Sequence, residues 1–202
     1  MGLFGLLLAA VSLGRIFELR LSRKRIRALP QDCVPFDRKG NWPLMVALHV
    51  ALLGMPLGEV LYTGRAPTPW LFWTCVVALL GTTALRIWTQ RELGPAWNAR
   101  GLLDPSLGFQ CTGPYRLLRH PNYLAVLIEV FAIPLAGSAF LSLAVLAPAH
   151  IAVLLRRVWD ENEALETLPG YAEAFAGRGN LFPKLTSHQP SSFSSRPREG
   201  TI

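Results

Sequence analysis

Apolar stretches long enough to cross a bilayer recur along this chain and constrain its fold more than any other feature. A helix needs about 20 mostly apolar residues to cross a hydrocarbon core ~30 Å thick, because each residue adds ~1.5 Å. The first three stretches cover residues 2–21, 43–62 and 69–88. Each of them predicts one transmembrane helix.

A fourth apolar stretch, 123–155, is too long for a single span. Pro134 and the Gly-Ser pair that begins at Gly137 interrupt it, and such residues mark turns. We therefore expect two short or tilted helices, 123–136 and 139–155. The whole chain predicts an all-α polytopic membrane helix bundle with about five transmembrane helices.

The composition supports a membrane protein. Only 16% of the 202 residues are charged, whereas soluble domains carry about a quarter, and 51% are hydrophobic. These values exclude disordered and collagen-like chains, and the length excludes a large multidomain assembly. The cysteines are few and widely spaced, so they predict neither a disulfide framework nor a metal site: Cys33, Cys75 and Cys111.

The placement of the basic residues decides what the net charge of +7 means. A basic run over 20–27 follows the first apolar stretch, whereas a signal peptide carries its positive charges before that stretch. Cytoplasmic loops carry an excess of Lys and Arg, so we expect the N-terminus outside and the C-terminus in the cytoplasm. Every Lys and Arg except Arg15 and Arg65 then lies at the cytoplasmic surface, and no nucleic-acid partner is needed.

The polar interval 89–122 contains the start of the densest functional motif, GPYRLLRHPNYL over 113–124. Gly113 and Pro114 predict a tight bend, and Pro121 predicts the start of a helix. Basic and aromatic residues therefore gather where the chain re-enters lipid, which indicates a functional site. The alternative is an anchoring belt at the membrane interface, formed by Tyr115, Arg116 and Tyr123.

The GPY and RHPNY segments within 113–123 resemble the cofactor-binding signature of the isoprenylcysteine carboxyl methyltransferase family of integral-membrane methyltransferases. The sequence RRVWDENEALETLPGYAEAFAGRGNLFP over 156–183 resembles the C-terminal motif of that family, and LRIWTQRELGPAWNARG over 85–101 is also similar to it. The resemblance thus covers 85–183. RIFELRLSRKR over 15–25 is similar to a bacterial branch that methylates lipid-like phenols, and this resemblance implies a location in a bacterial inner membrane.

The resemblance implies that S-adenosylmethionine binds at the cytoplasmic face, in a pocket built from the C-terminal half and without a Rossmann fold. A carboxylate such as Glu161 suits the positive sulfonium and ammonium of this cofactor, and Arg119 or His120 suits its carboxylate. Tyrosines can stack on adenine, and an amide can offer hydrogen bonds. The implied cofactor-binding residues are Gly113, Pro114, Tyr115, Arg119, His120, Pro121, Asn122, Tyr123 and Glu161.

The family resemblance also implies catalytic roles for Arg157, which would orient a substrate oxyanion near the methyl group, and for Glu161. This chain departs from the family at Asn162, where a second adjacent acid is frequent. Either Glu161 is sufficient, or Asp160 and Glu163 share its role.

Ionisable residues inside the apolar stretches are functional candidates, because charge in lipid is costly. Glu59 lies near the outer end of its stretch and is expected at the interface, and Arg15 and Glu18 are spaced to neutralise each other. Three others lie in the cytoplasmic half and are candidates for a substrate tunnel, with hydrogen bonds between helices as the alternative: His49, Glu129 and His150.

The predicted activity is an S-adenosylmethionine-dependent methyltransferase that acts in the membrane on a lipophilic acceptor. The expected acceptor is a hydroxyl of a phenolic or polyketide-derived lipid or an isoprenylcysteine-type carboxylate, on a small molecule or a prenylated partner. O-, N- and S-methylation stay open. The alternatives are an NADPH-dependent membrane enzyme of the sterol-reductase type and a noncatalytic membrane scaffold.

The chain is expected to divide into three parts. Residues 1–88 hold the first three helices, and 89–185 form the cofactor-binding core with its helical hairpin. Residues 186–202 are rich in Ser and Pro without apolar periodicity, so they predict a disordered tail.

Overall fold

A computed structural model describes residues 1–30, 33–36 and 42–182. The predicted disordered tail and Pro183 lie outside the described residues. The helices are α1 (Gly2–Ile26), α2 (Trp42–Thr63), α3 (Pro69–Leu93), α4 (Pro121–Ala136), α5 (Phe140–Leu165) and the short α6 (Tyr171–Ala174). Two-residue strands β1 (Val34–Pro35) and β2 (Leu102–Leu103) pair antiparallel and join the segment after α1 to the segment after α3.

The prediction of an all-α membrane bundle is confirmed. Within the described part of the chain, α1, α2, α3 with its following turn, and α5 are long and apolar enough to span a bilayer. The remaining predicted span, α4, is an apolar helix of 16 residues. Its length is therefore about 24 Å, which is less than a bilayer core of ~30 Å.

The predicted break in the last apolar stretch is also present. Helix α4 ends at Ala136, and the turn to α5 contains Gly137 and Ser138, which has a positive φ of 54°. The carboxylate of Glu59 on α2 accepts hydrogen bonds from the backbone N–H groups of Leu141 and Ser142, at 3.1 and 2.6 Å. It thus satisfies two of the donors that the first turn of a helix leaves without a helical partner.

Three predicted helix ends are wrong. The helices end at Ile26, Leu93 and Leu165 rather than near residues 21, 88 and 155, because a hydropathy pattern stops at the first polar residues whereas helical hydrogen bonding continues through them. As a consequence Arg157, predicted at the cytoplasmic surface, lies inside α5 and is only 4% exposed. Arg86, also predicted at that surface, lies within the predicted stretch 69–88 and is only 5% exposed.

Helix α4 packs against α3, α5 and α2, while α1 lies at the edge of the bundle. Only Phe4, Leu8 and Ser22 of α1 are buried. Gly137 lies against Phe4, and a Cβ at Gly137 would be 2.6 Å from the Cζ of that ring. The absence of a side chain at residue 137 therefore lets α1 approach the α4–α5 turn.

The C-terminal segment folds back onto the polar motif. The backbone N–H groups of Arg119 and His120 donate to the carbonyls of Gly179 and Asn180, at 2.9 and 3.0 Å. An apolar cluster supports this contact and consists of Tyr115, Leu168, Tyr171, Ala174 and Phe175. The motif and the last described residues are therefore held together as one wall of the molecule.

Candidate active site

A cavity of about 480 Å³ lies between the polar motif, the C-terminal segment and the helices α1, α2 and α3. It brings together most of the predicted site residues. Those that line it are His49, Tyr115, Arg119, His120, Asn122, Tyr123, Arg157 and Glu161. Residues that are far apart in the sequence thus face one space, which extends from the motif toward the membrane helices.

Three predicted cofactor-binding residues are not among those that line the cavity. Gly113 has a positive φ of 56°, and a Cβ there would be 2.5 Å from Oε2 of Glu92. Pro114 lies in the first turn of a short 3₁₀ helix, and Pro121 lies at the first position of α4, where the missing N–H costs no hydrogen bond. The structure gives these residues a role in shaping the chain around the cavity.

His120, Tyr123 and Glu161 form the polar centre of the cavity. The Tyr123 hydroxyl donates to Oε2 of Glu161 at 2.5 Å, and Nδ1 of His120 lies 3.6 Å from Oε1 of the same carboxylate. Nε2 of His120 lies 2.8 Å from Oδ1 of Asn162. Both ring nitrogens therefore face acceptor oxygens, an arrangement that suits a protonated imidazole.

The electrostatics of His120 agree with this arrangement. Burial alone would lower the pKa of His120, but attraction to the Glu161 carboxylate and hydrogen bonds to Glu161 and Asn162 outweigh burial and raise the pKa. Asn162, the departure from the family pattern, thus serves as the second hydrogen-bond acceptor of the histidine. The pairing of His120 with Glu161 therefore favours the protonated form of the imidazole.

Several buried polar atoms near the motif have no hydrogen-bond partner within the described residues, and two of them bear on ligand binding. One is the hydroxyl of Tyr171, a cavity-lining residue that is only 1% exposed. The other is Nε of Arg119, whose Nη2 donates to the carbonyl of Phe175 at 3.0 Å. Because buried polar groups in proteins are nearly always paired, both atoms are suited to binding a polar ligand.

Aromatic rings surround the end of the cavity that lies at the motif. Phe109 meets Tyr171 edge-on, with ring centroids 5.4 Å apart, and Tyr171 meets Phe175 at 4.6 Å. The guanidinium of Arg157 lies 5.7 Å from the ring centre of Phe36 and 6.0 Å from that of Trp42. Such rings can hold a flat heterocycle, and cation–π contacts orient the guanidinium.

A buried network of charges lies at the end of the cavity that faces the membrane helices. Glu129 accepts hydrogen bonds from Nε and Nη2 of Arg86 at 3.1 and 3.0 Å, and from Nη2 of Arg15 at 2.7 Å. Nη1 of Arg86 also contacts Oδ1 of Asn122 at 3.2 Å. Arg15 pairs with Glu18 as predicted, and Glu18 also accepts from Arg86 at 3.4 Å. Glu129 on α4 is therefore hydrogen-bonded to α1 and α3. This arrangement agrees with the predicted alternative, hydrogen bonds between helices, rather than with a place in a substrate tunnel.

Sequence reasoning missed Arg86 and Gln90 as members of this network. Nε2 of Gln90 donates to Oε1 of Glu18 at 2.7 Å. Two arginines, Arg15 and Arg86, balance two carboxylates, so the network has no net charge. A signal was present, because a carboxylate such as Glu129 in an apolar helix must have a cationic partner at a similar depth.

The two histidines predicted for the tunnel lie side by side, with ring centroids 5.5 Å apart. Nδ1 of His49 lies 2.8 Å from the Met45 carbonyl, and Nδ1 of His150 lies 3.0 Å from the Leu146 carbonyl. A carbonyl only accepts, so each Nδ1 carries a proton and each neutral ring keeps a lone pair on Nε2. His49 lines the cavity, whereas His150 lies behind it.

Comparison with known proteins finds a matching family model and a distant relative. Residues 73–167 match the sequence model of the isoprenylcysteine carboxyl methyltransferase (ICMT) family, as predicted. The chain is also 27% identical to the uncharacterized protein YpbQ of Bacillus subtilis (strain 168) over 166 residues, which cover 81% of this chain and 97% of YpbQ. The matched segment contains the RHPNY motif, Arg157 and Glu161. This segment is thus similar to a family whose members are membrane methyltransferases.

Proposed function

We propose that this protein is an S-adenosylmethionine-dependent methyltransferase that acts on a lipophilic acceptor at the cytoplasmic side of a membrane. The observation that carries the proposal is the cavity in which His120 and Tyr123 of the motif meet Glu161 of α5. The match to the family model supports methyl transfer over NADPH-dependent reduction and over a noncatalytic scaffold.

The polar end of the cavity offers chemically suitable partners for this cofactor. Glu161 would face its positive groups, and the unpartnered Nε of Arg119 would face its carboxylate. The buried hydroxyl of Tyr171 and the neighbouring rings suit the ribose and adenine. When bound, S-adenosylmethionine supplies a methyl group bonded to a positive sulfur.

The rest of the cavity supports a lipophilic acceptor. Apolar side chains from α1 and α2 line it, namely Ile16, Leu19, Met45, Val46, Val50 and Leu53. These helices are candidate membrane spans, so the cavity is bounded by side chains of the hydrocarbon region. An acyl or prenyl chain would gain the free energy of apolar burial there.

His49 favours a hydroxyl over a carboxylate as the accepting group. A hydroxyl must lose a proton during methylation, whereas an ionised carboxylate does not. His49 lines the cavity and presents a lone pair on Nε2, because its Nδ1 donates to the Met45 carbonyl. We therefore favour the hydroxyl of a phenolic or polyketide-derived lipid, with an isoprenylcysteine-type carboxylate as the second candidate. Arg157 would orient the oxygen.

Calorimetric titration of the detergent-purified protein with S-adenosylhomocysteine and, separately, with NADPH tests the proposal. We expect saturable binding of S-adenosylhomocysteine alone. Glu161→Gln should weaken it at least tenfold, while Glu173→Gln, which removes an exposed carboxylate of α6, should leave it unchanged. Binding of NADPH alone, or of neither compound, would refute the proposed activity.

The acceptor is tested by incubating membranes with methyl-labelled S-adenosylmethionine and extracting the lipids. Label in a base-stable ether would support the hydroxyl acceptor, and label released as methanol by mild base would support a carboxylate ester. His49→Phe should abolish ether formation and retain S-adenosylhomocysteine binding. Full activity of that variant would exclude His49 as the proton acceptor.

A further inference from the structure

The cytoplasmic end of α1 carries a row of basic residues that the proposed activity does not use. Arg20, Arg23, Lys24 and Arg27 are spaced by three or four residues, so they lie on one face of the helix. All four are exposed, and together they line a shallow surface depression. We call these four residues the basic face.

The basic face has no counter-charge in the part of the chain that the structure describes. None of its four residues forms an ion pair with another described residue. Arg25, in the same run, differs: its guanidinium lies 5.5 Å from the ring centre of Trp97 and donates to the Trp97 carbonyl at 3.5 Å. The basic run therefore divides into one residue that contacts the protein and four that face away from it.

An apolar strip continues the basic face toward the membrane. Leu13 and Phe17 precede Arg20 at helical spacing and are 68% and 67% exposed. Because α1 is a candidate membrane span, these exposed side chains face acyl chains. One side of α1 thus presents hydrocarbon contacts and then, at the cytoplasmic end, several cations that no described carboxylate neutralises.

We propose that this side of α1 is a binding site for an anionic phospholipid of the cytoplasmic leaflet. The headgroup phosphate would lie on the basic face, where guanidinium groups bind phosphate through paired hydrogen bonds. An acyl chain of the same molecule would lie along Leu13 and Phe17. Clusters of Lys and Arg directly cytoplasmic of a membrane helix attract anionic lipid, and here the order of apolar and basic residues matches that of a phospholipid.

Native mass spectrometry of the full-length protein tests the site, with phosphatidylglycerol and phosphatidylcholine of identical acyl chains added to the detergent solution. We expect a preference for phosphatidylglycerol that declines as the ionic strength rises. The four-residue variant Arg20→Gln, Arg23→Gln, Lys24→Gln and Arg27→Gln should lose that preference, by on the order of a thousandfold in relative affinity.

Two matched variants distinguish a specific lipid-binding site from attraction by the total charge of the protein. Replacing the three arginines of the basic face by lysine keeps the charge but removes the paired hydrogen bonds of the guanidinium groups, so it should lower the preference without abolishing it. A second variant removes four exposed arginines elsewhere and should retain it fully: Arg65→Gln, Arg91→Gln, Arg100→Gln and Arg116→Gln. Equal loss in this variant would show that total charge alone attracts the lipid, and would overturn the site.

Further results would also overturn the proposal. A wild-type protein without preference for phosphatidylglycerol over phosphatidylcholine has no such site, whatever its variants do. If glycerol phosphate or inorganic phosphate at equal concentration displaces the lipid fully, then the site binds phosphate without the apolar strip. S-adenosylhomocysteine binding is measured for every variant and is expected to stay unchanged, because the basic face lies outside the cavity.

Discussion

Replacement of Glu129 by Gln tests whether the buried charge network holds the bundle together. Glu129 is only 3% exposed and accepts three hydrogen bonds, two from Arg86 and one from Arg15. With Gln at this position, two arginines face only Glu18, so one positive charge is left buried without compensation. Removing one partner of a buried ion pair costs about 3–5 kcal/mol.

The predicted loss is measured as a shift in the melting temperature. For a chain of this size, 1 kcal/mol corresponds to about 2–4 °C, so Glu129→Gln should lower the melting temperature by about 6 °C or more. Unfolding in detergent can be followed with a thiol-reactive dye, because Cys75 in α3 is buried in the folded state. Glu173→Gln, at an exposed position, is the control and should shift the melting temperature by less than about 1 °C.

A double variant tests the reasoning directly. Arg86→Gln alone leaves an excess negative charge, whereas Arg86→Gln together with Glu129→Gln restores neutrality. The double variant should therefore be more stable than the sum of the two single losses predicts, by about 1 kcal/mol or more. Additive losses, or a Glu129→Gln variant as stable as the control, would refute the view that charge balance in this network stabilises the bundle.

Three further outcomes follow from the structure. The pKa of His120 is raised in the folded state, so its pairing with Glu161 stabilises that state fully below pH ~6.5. This stabilisation is lost as the pH rises through the folded-state pKa. His120→Gln should therefore flatten the pH dependence of the melting temperature. Gly137→Ala should destabilise the protein by about 1–3 kcal/mol, because its Cβ would clash with α1, while Gly14→Ala, which meets nothing within 4 Å, should not. Tyr171→Phe should keep the melting temperature and weaken S-adenosylhomocysteine binding several-fold in calorimetry, since the hydroxyl has no partner among the described residues.

The helices could be predicted where local signals determine them. The turn after Ala136 follows from Pro and Gly, whose backbone preferences act over a few residues. The ends of α3 and α5 could not be predicted from hydropathy, since it measures transfer into lipid and not helical hydrogen bonding. This difference is the reason that Arg157 lies inside a helix rather than in the segment predicted to follow it.

The site was only partly predictable for a related reason. Motif resemblance points to His120, Tyr123 and Glu161, and the structure places them in contact. Tyr171 carries no comparable signal, because its position depends on how the C-terminal segment folds back onto the motif. The pairing of Glu129 with Arg86 depends on the register between α4 and α3, which helical periodicity alone does not determine.

The backbone contact between the motif and the C-terminal segment has a consequence for biosynthesis. Arg119 and His120 bond to Gly179 and Asn180, which are synthesised roughly sixty residues later, after both helices of the hairpin. At a translation rate of about 5–20 residues per second, several seconds separate the two halves of the cavity wall. The membrane helices therefore have time to insert before the pocket closes. A ribosome that stalls after α5 would leave an inserted but open protein, which should be a preferred substrate of membrane proteases.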